Sequence, residues 1–198
     1  VSRRWDWGFA LEGRTNVGAN SNVQLIDAHV KGKFAMLELK AGRSKDLMGL
    51  NGDSTLTSGN FAISGNALGV PKVEISIPTF YRLPIFGGLF AIKGNYAVGY
   101  MGNMEMNPSA FRVKTEDHLV ETYMLSNSIY GRIGKESWKL QLYAGANHQA
   151  QWGGEKKRYG DDYDLNFLQT LKYVTLGSSY GGQGNPIPRS KVGNQQGS

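Results

Sequence analysis

Apolar and polar residues alternate over long stretches of this chain. Between Trp138 and Gln149, Leu140, Leu142, Ala144 and Ala146 share one phase, while Lys139, Gln141, Tyr143 and Asn147 share the other. A period of two is the signature of a β-strand whose faces meet different surroundings. The same reading predicts strands over residues 5–16, 23–32, 34–43, 72–77, 89–100, 123–133 and 138–149. Residues 165–173 carry the pattern of a short helix.

The connections alternate in length. "GK" at Gly32–Lys33 and "GKES" at 134–137 read as tight turns, and "PTFYRLPIFGG" as a somewhat longer one. Segments 44–71, 102–121 and 153–198 are long by comparison. Short turns at one end of the strands and long loops at the other describe an up-and-down antiparallel barrel of the outer-membrane type. Several runs reach the length of about 9–11 residues that a tilted strand needs to cross a bilayer.

The two phases differ in charge. One gathers Trp5, Trp7, Phe9 and Leu11; Ile26, Ala28 and Val30; Ala35, Leu37 and Leu39; Val73, Ile75 and Ile77; and continues through Phe90, Ile92, Tyr96, Val98, Leu125, Ile129, Ile133 and Leu142. The other gathers Glu12, Arg14, Asp27, His29, Lys31, Glu38, Lys40, Lys72, Glu74, Lys93, Arg132 and Lys139. Arg or Lys at a bilayer midplane costs about 2–4 kcal/mol, so a membrane barrel keeps one phase free of charge. Aromatic residues cluster towards the two strand ends, as interfacial belts do. A soluble β-sandwich with an aromatic core is the competing fold.

Composition narrows the picture. The 198 residues include 27 glycines and no cysteine, so disulfides and thiolate metal sites are excluded. No run approaches the about eighteen apolar residues of a spanning helix, which leaves a barrel untouched. The net charge of +6 comes from 22 basic and 16 acidic residues spread along the chain, a distribution that does not mark a nucleic-acid partner. The opening "VSRRWDWGFALEG" already reads as a strand, and the closing "KVGNQQGS" as a loop. The expectation is one barrel domain over 1–198, about seven strands of a larger barrel, with both ends internal to a longer chain.

Catalytic chemistry finds little footing. Of the three histidines, His29 lies between Asp27 and Lys31 on the polar phase, His118 sits in "KTEDHLVE", and His148 falls on the apolar phase with no serine paired to it by sequence. Asp161, Asp162 and Asp164 offer carboxylates, but lie together in one loop-like stretch instead of facing each other across a cleft. The reading is non-enzymatic, with no cofactor and no metal. The stretch "QWGGEKKRYGDDY" is more specific. Trp152 and Tyr159 offer flat faces to sugar rings, and Lys156, Lys157 and Arg158 suit uronate or phosphate groups of an acidic glycan.

At "ELKAGRSKDLMGL", "TSGNFAISGNALGVPKVEISIP" and "LYAGANHQAQWGG" the chain resembles the capsule assembly Wzi family in its Bacteroidetes-type form. The closing "VGNQQGS" is similar to the loop before a further strand of that family. The resemblance implies a closed outer-membrane barrel of roughly eighteen strands, of which this chain is a central part. It also implies a location in the Gram-negative outer membrane, lipid and capsular or other surface polysaccharide as partners, and a role in attaching that polysaccharide to the cell surface. A porin-like transport channel is the alternative function for the same architecture.

Overall fold

The computed structural model describes residues 4–18, 21–44, 68–105, 119–135, 137–153, 166–176 and 194–197, without the side chains of 173, 176 and 194–197. Among the described residues it is all-β apart from one helix and a 3-10 turn. The strands are β1 (Trp5–Asn16), β2 (Asn22–Phe34), β3 (Leu37–Arg43), β4 (Lys72–Arg82), β5 (Phe90–Glu105), β6 (Leu119–Ile133), β7 (Leu142–Trp152) and a short β8 (Asn194–Gly197). Each pairs with its neighbour in sequence, giving an up-and-down antiparallel sheet in the order β1 to β8. The order has two ends, and among the described residues β1 and β8 do not join to close a barrel. A 3-10 turn at Phe86–Gly88 lies between β4 and β5, and helix α1 (Phe167–Leu176) precedes β8.

β1 spans the residues that its alternation predicts. The turn after β2 does not fall where expected. Gly32 and Lys33 remain in β2, paired with Leu39 and Glu38, and the chain reverses at Ala35–Met36. Phe34 explains the shift. A two-residue reversal at Gly32–Lys33 would set Phe34 opposite Lys31, on the polar face. The observed register sets it opposite Leu37 instead, on the apolar face. Ala35 accommodates the tight reversal by taking a left-handed φ of 53°.

The apolar phase slips once. Between Glu12 and Gly13 the β1–β2 register shifts, so that Leu25, Ile26 and Asp27 oppose two residues of β1. Ile26 is the extra residue of this bulge and is buried, whereas Val23 and Leu25 are exposed. Ile26 therefore leaves the apolar phase to which strict alternation assigns it. Beyond the bulge Leu39 pairs with Ile75 and Ala41 with Val73, and on the opposite face Lys40 pairs with Glu74.

β4, β5 and β6 outrun their expected lengths, while β7 starts later. Residues 138–140 are not strand: the Lys135 carbonyl accepts the Trp138 N–H at 2.9 Å and the Gln141 side-chain amide at 3.1 Å, which holds Trp138 and Gln141 out of the ladder.

Contacts divide the chain into two compact units, residues 1–97 with 127–147, and residues 98–126 with 148–198. In the first, the polar phase is the buried one. In the second, Leu125, Ala150, Trp152 and, on α1, Val174 are buried apolar residues, and Val120 is buried on the opposite face of β6. Asn166 caps that helix reciprocally. Its side-chain oxygen accepts the Gln169 N–H at 2.8 Å, and the Gln169 side-chain oxygen accepts the Asn166 N–H at 3.2 Å.

Candidate functional site: an exposed apolar face over a buried polar one

The outward face of the first unit consists of Trp5, Trp7, Phe9 and Leu11 on β1, Val30 and Phe34 on β2, Leu39 on β3, Val73 and Ile75 on β4, Ile129 on β6 and Leu142 on β7. All are exposed, Leu11 to 76%. Leaving one such side chain in water forgoes about 1.5–3 kcal/mol relative to burial. Exposed large apolar side chains gathered on one face mark a surface that meets a partner or a membrane. Among the described strand residues, Arg43 and Glu121 are the acidic or basic side chains on this phase, and both lie near strand ends.

The inward face is the reverse. Glu74 is 8% exposed and Arg132 7%. Charges there are held by partners. Lys72 Nζ meets Glu74 Oε2 at 2.8 Å, Lys40 Nζ lies 3.5 Å from Glu74 Oε1, and Lys31 lies 3.9 Å from Glu38. His29 Nδ1 sits 2.6 Å from Asp27 Oδ1, the hydrogen-bonded arrangement that its neighbours in sequence imply. Arg132 places its guanidinium 5.5 Å from the centre of the Phe80 ring, within cation–π range. Phe80 in turn meets Tyr143 edge to face.

Neutral pairs lie between the ionic ones. The Ser128 hydroxyl donates to Asn95, and the Tyr130 hydroxyl donates to Asn147. The Tyr130 ring lies over Gly145 so closely that a Cβ there would collide with it. Asn95, Ser128, Tyr130 and Asn147 share the parity of Lys93, Arg132 and Lys139, so alternation alone places them on the polar face. Which of them meet across strands depends on register, which alternation does not give.

The second unit changes the outward face. Tyr123, Leu125, His148, Ala150 and Trp152 continue the apolar phase of β6 and β7, but here α1 covers it. Phe167 meets Tyr123 at 5.3 Å between ring centres and Trp152 at 6.2 Å, and Tyr123 stacks on Trp152 at 5.7 Å. His148 Nε2 lies 2.7 Å from the Val174 carbonyl, so this histidine anchors the helix. Leu125, on the same phase of β6, is fully buried.

Trp152 is the one expected glycan contact that the structure places. It is 6% exposed and engaged with Tyr123 and Phe167, so its ring packs against protein and is not open to a sugar. That corrects its reading as an exposed stacking platform. Lys156, Lys157, Arg158 and Tyr159 lie outside the described residues, as do His118, Asp161, Asp162 and Asp164.

Among the described residues no group of three metal-ligating side chains comes together. No described helix is long and apolar enough to cross a membrane, a test that does not address strands. Comparisons with protein families, curated proteins and solved structures find no match. What the first unit defines by itself is an antiparallel meander with one exposed apolar face and one buried, ion-paired face.

Proposed function

We propose that this chain is part of an outer-membrane β-barrel of a Gram-negative bacterium, acting without catalysis in the assembly and surface attachment of capsular or other polysaccharide. The observation that carries the membrane reading is the inversion of faces. Leu11, Phe9 and Leu142 are exposed while Glu74, Arg132 and Lys72 are buried, and lipid is the surrounding medium that makes this arrangement favourable. Lysine and glutamate pairing on the buried face suits a polar lumen, because ion pairs compensate desolvation only where each charge has partners.

The polysaccharide part is supported by the resemblance to the Wzi family and by the composition of the loop after β7. With Trp152 packed under α1, glycan contact falls to Lys156, Lys157, Arg158 and Tyr159. The bases would pair with acidic groups and the tyrosine would stack on a ring. Exposed ion pairs contribute only about 0–1 kcal/mol each, so attachment rests on many repeating units bound at once.

The test compares cell-bound with released polysaccharide in a strain carrying Lys156→Ser, Lys157→Ser and Arg158→Ser together, at wild-type membrane levels of the complete protein. Release should rise, and the difference from wild type should shrink at high salt, where the charges are screened. Unchanged retention in the triple variant would remove this loop as the site. Unchanged retention on deleting the whole protein, combined with a steady open pore in planar bilayers, would replace attachment by transport.

A further inference from the structure

The outward face of the first unit is not smooth. Near the tight-turn end, a groove of about 650 Å³ opens between Phe90 and Ile92 of β5, Gly131 and Ile133 of β6, and Leu142 and Ala144 of β7. That volume lies within the about 300–1,000 Å³ typical of small-molecule sites. Gly131 and Ala144 make the floor low, and a Cβ built on Gly131 meets nothing nearer than the Ala144 carbonyl at 3.9 Å. Ile85, from the turn between β4 and β5, closes one end.

That end is basic. Two residues beyond Ile85, the position a Cβ would take on Gly87 lies 4.0 Å from Lys135 Nζ, and the Arg82 side chain packs over Gly88. Lys139 follows in the next turn, and Glu136 is the acid in that segment. Phe86, itself exposed, packs edge-on to the groove residue Phe90. The groove is thus an apolar trough bounded at Ile85 by a turn that carries an exposed aromatic side chain and lies beside the Lys135 ammonium group. This is complementary to an amphiphile with a hydrocarbon tail and an anionic head.

We propose that this groove seats one acyl chain of an anionic phospholipid whose phosphate meets Lys135. The inference rests on the membrane reading of the outward face and adds to it a defined lipid position. A bulk hydrocarbon surface has no preference among lipids. A trough with a cation beside its bounding turn has one.

The experiment is native mass spectrometry of the complete protein in mild detergent, with phosphatidylglycerol or phosphatidylcholine of matched acyl chains added. Wild type should retain phosphatidylglycerol in preference to phosphatidylcholine. Gly131→Leu and, independently, Ala144→Leu fill the floor and should lower retention of both lipids about tenfold, the equivalent of about 1.4 kcal/mol. Lys135→Glu should abolish the preference while leaving phosphatidylcholine retention unchanged. Equal retention in wild type and in a folded floor-filling variant would overturn the groove as the site. Loss of a protein dimer in Gly131→Leu, with lipid retention intact, would also overturn it and assign the groove to a second copy of the chain. The membrane reading fails separately. It falls if the same wild-type preparation stays monodisperse once detergent is removed, whereas a failed groove leaves the protein dependent on detergent.

Discussion

Phe80 and Tyr143 stand on β4 and β7, with two strands between them, and their ring centres lie 5.4 Å apart. Three inter-strand spacings along a flat sheet would separate them by about 14 Å. The sheet therefore curls towards the face these rings share, which is the polar one. Curling in that direction buries Arg132 against Phe80 and leaves Ile129, Ile133 and Leu142 on the outer, convex side. A soluble sheet curls the other way, around its apolar face.

Neighbours on β1 test the two faces directly. Phe9 points outward and is exposed, and Ala10 faces the interior opposite His29. Phe9→Arg should destabilise the reconstituted protein by about 2–4 kcal/mol, the cost of such a side chain at mid-bilayer. Ala10→Arg should cost less than about 1 kcal/mol, since the inner face already carries charges with acids nearby. Urea unfolding in lipid, followed by heat-modifiable migration, reads both. Equal losses would mean that the faces are misassigned.

Glu74 holds two ammonium groups, Lys72 at 2.8 Å and Lys40 at 3.5 Å, all with little exposure. Glu74→Gln removes the shared counter-charge and should destabilise by about 3–5 kcal/mol, as for a broken buried pair. Lys72→Met on the Glu74→Gln background should then cost much less than on wild type. A double-mutant cycle with no coupling would place these side chains in water.

Chain reversal at Ala35–Met36 and the junction of β6 with β7 lie at one end of the strands, and the Arg43 end of β3 and the Lys72 end of β4 at the other. The protein contains no cysteine, so single cysteines introduced there report without background. On intact cells lacking capsule, Asn51→Cys and Glu155→Cys should react with an impermeant maleimide, and Met36→Cys should react only after the membrane is opened. The opposite pattern would invert the topology.

Helix α1 stays on the outward face through its cap and through Phe167. Asn166→Ala should cost about 1 kcal/mol, typical of a lost N-cap. Phe167→Ala should in addition expose Trp152. In a variant retaining Trp152 as its single tryptophan, this change should red-shift the emission and increase acrylamide quenching. An unchanged spectrum would mean that something other than α1 covers the ring.

Strand order, the limits of β1 and the charge difference between the phases were legible because they depend on local alternation, which backbone geometry imposes on any strand. The misses have three physical origins. Alternation does not register a bulge, so Ile26 was assigned to the wrong face. It does not weigh a turn against strand continuation, so Phe34 and not the Gly-Lys pair decided where β2 reverses, and Lys135 capturing the Trp138 and Gln141 groups delayed β7. Nor does it reveal what covers a face. A short amphipathic pattern at residues 165–173 announced α1, but not that Phe167 and Val174 would cover Tyr123, Trp152 and His148. Of the expected glycan contacts, Trp152 was misread for that reason, since its polar, glycine-rich neighbours in sequence mark a loop while its own ring belongs to a packed cluster.

The outward face meeting lipid is the claim on which the others depend, and the tryptophans provide its sharpest test. Trp7 is 69% exposed on the apolar face, and Trp152 is 6% exposed beneath α1. In single-tryptophan variants of the complete protein, reconstituted in bilayers of brominated-acyl phospholipid, Trp7 should be strongly quenched by the lipid and poorly by aqueous acrylamide, while Trp152 should respond weakly to both. Trp7 quenched by acrylamide and untouched by the brominated chains would place the apolar face outside the bilayer and contradict the account.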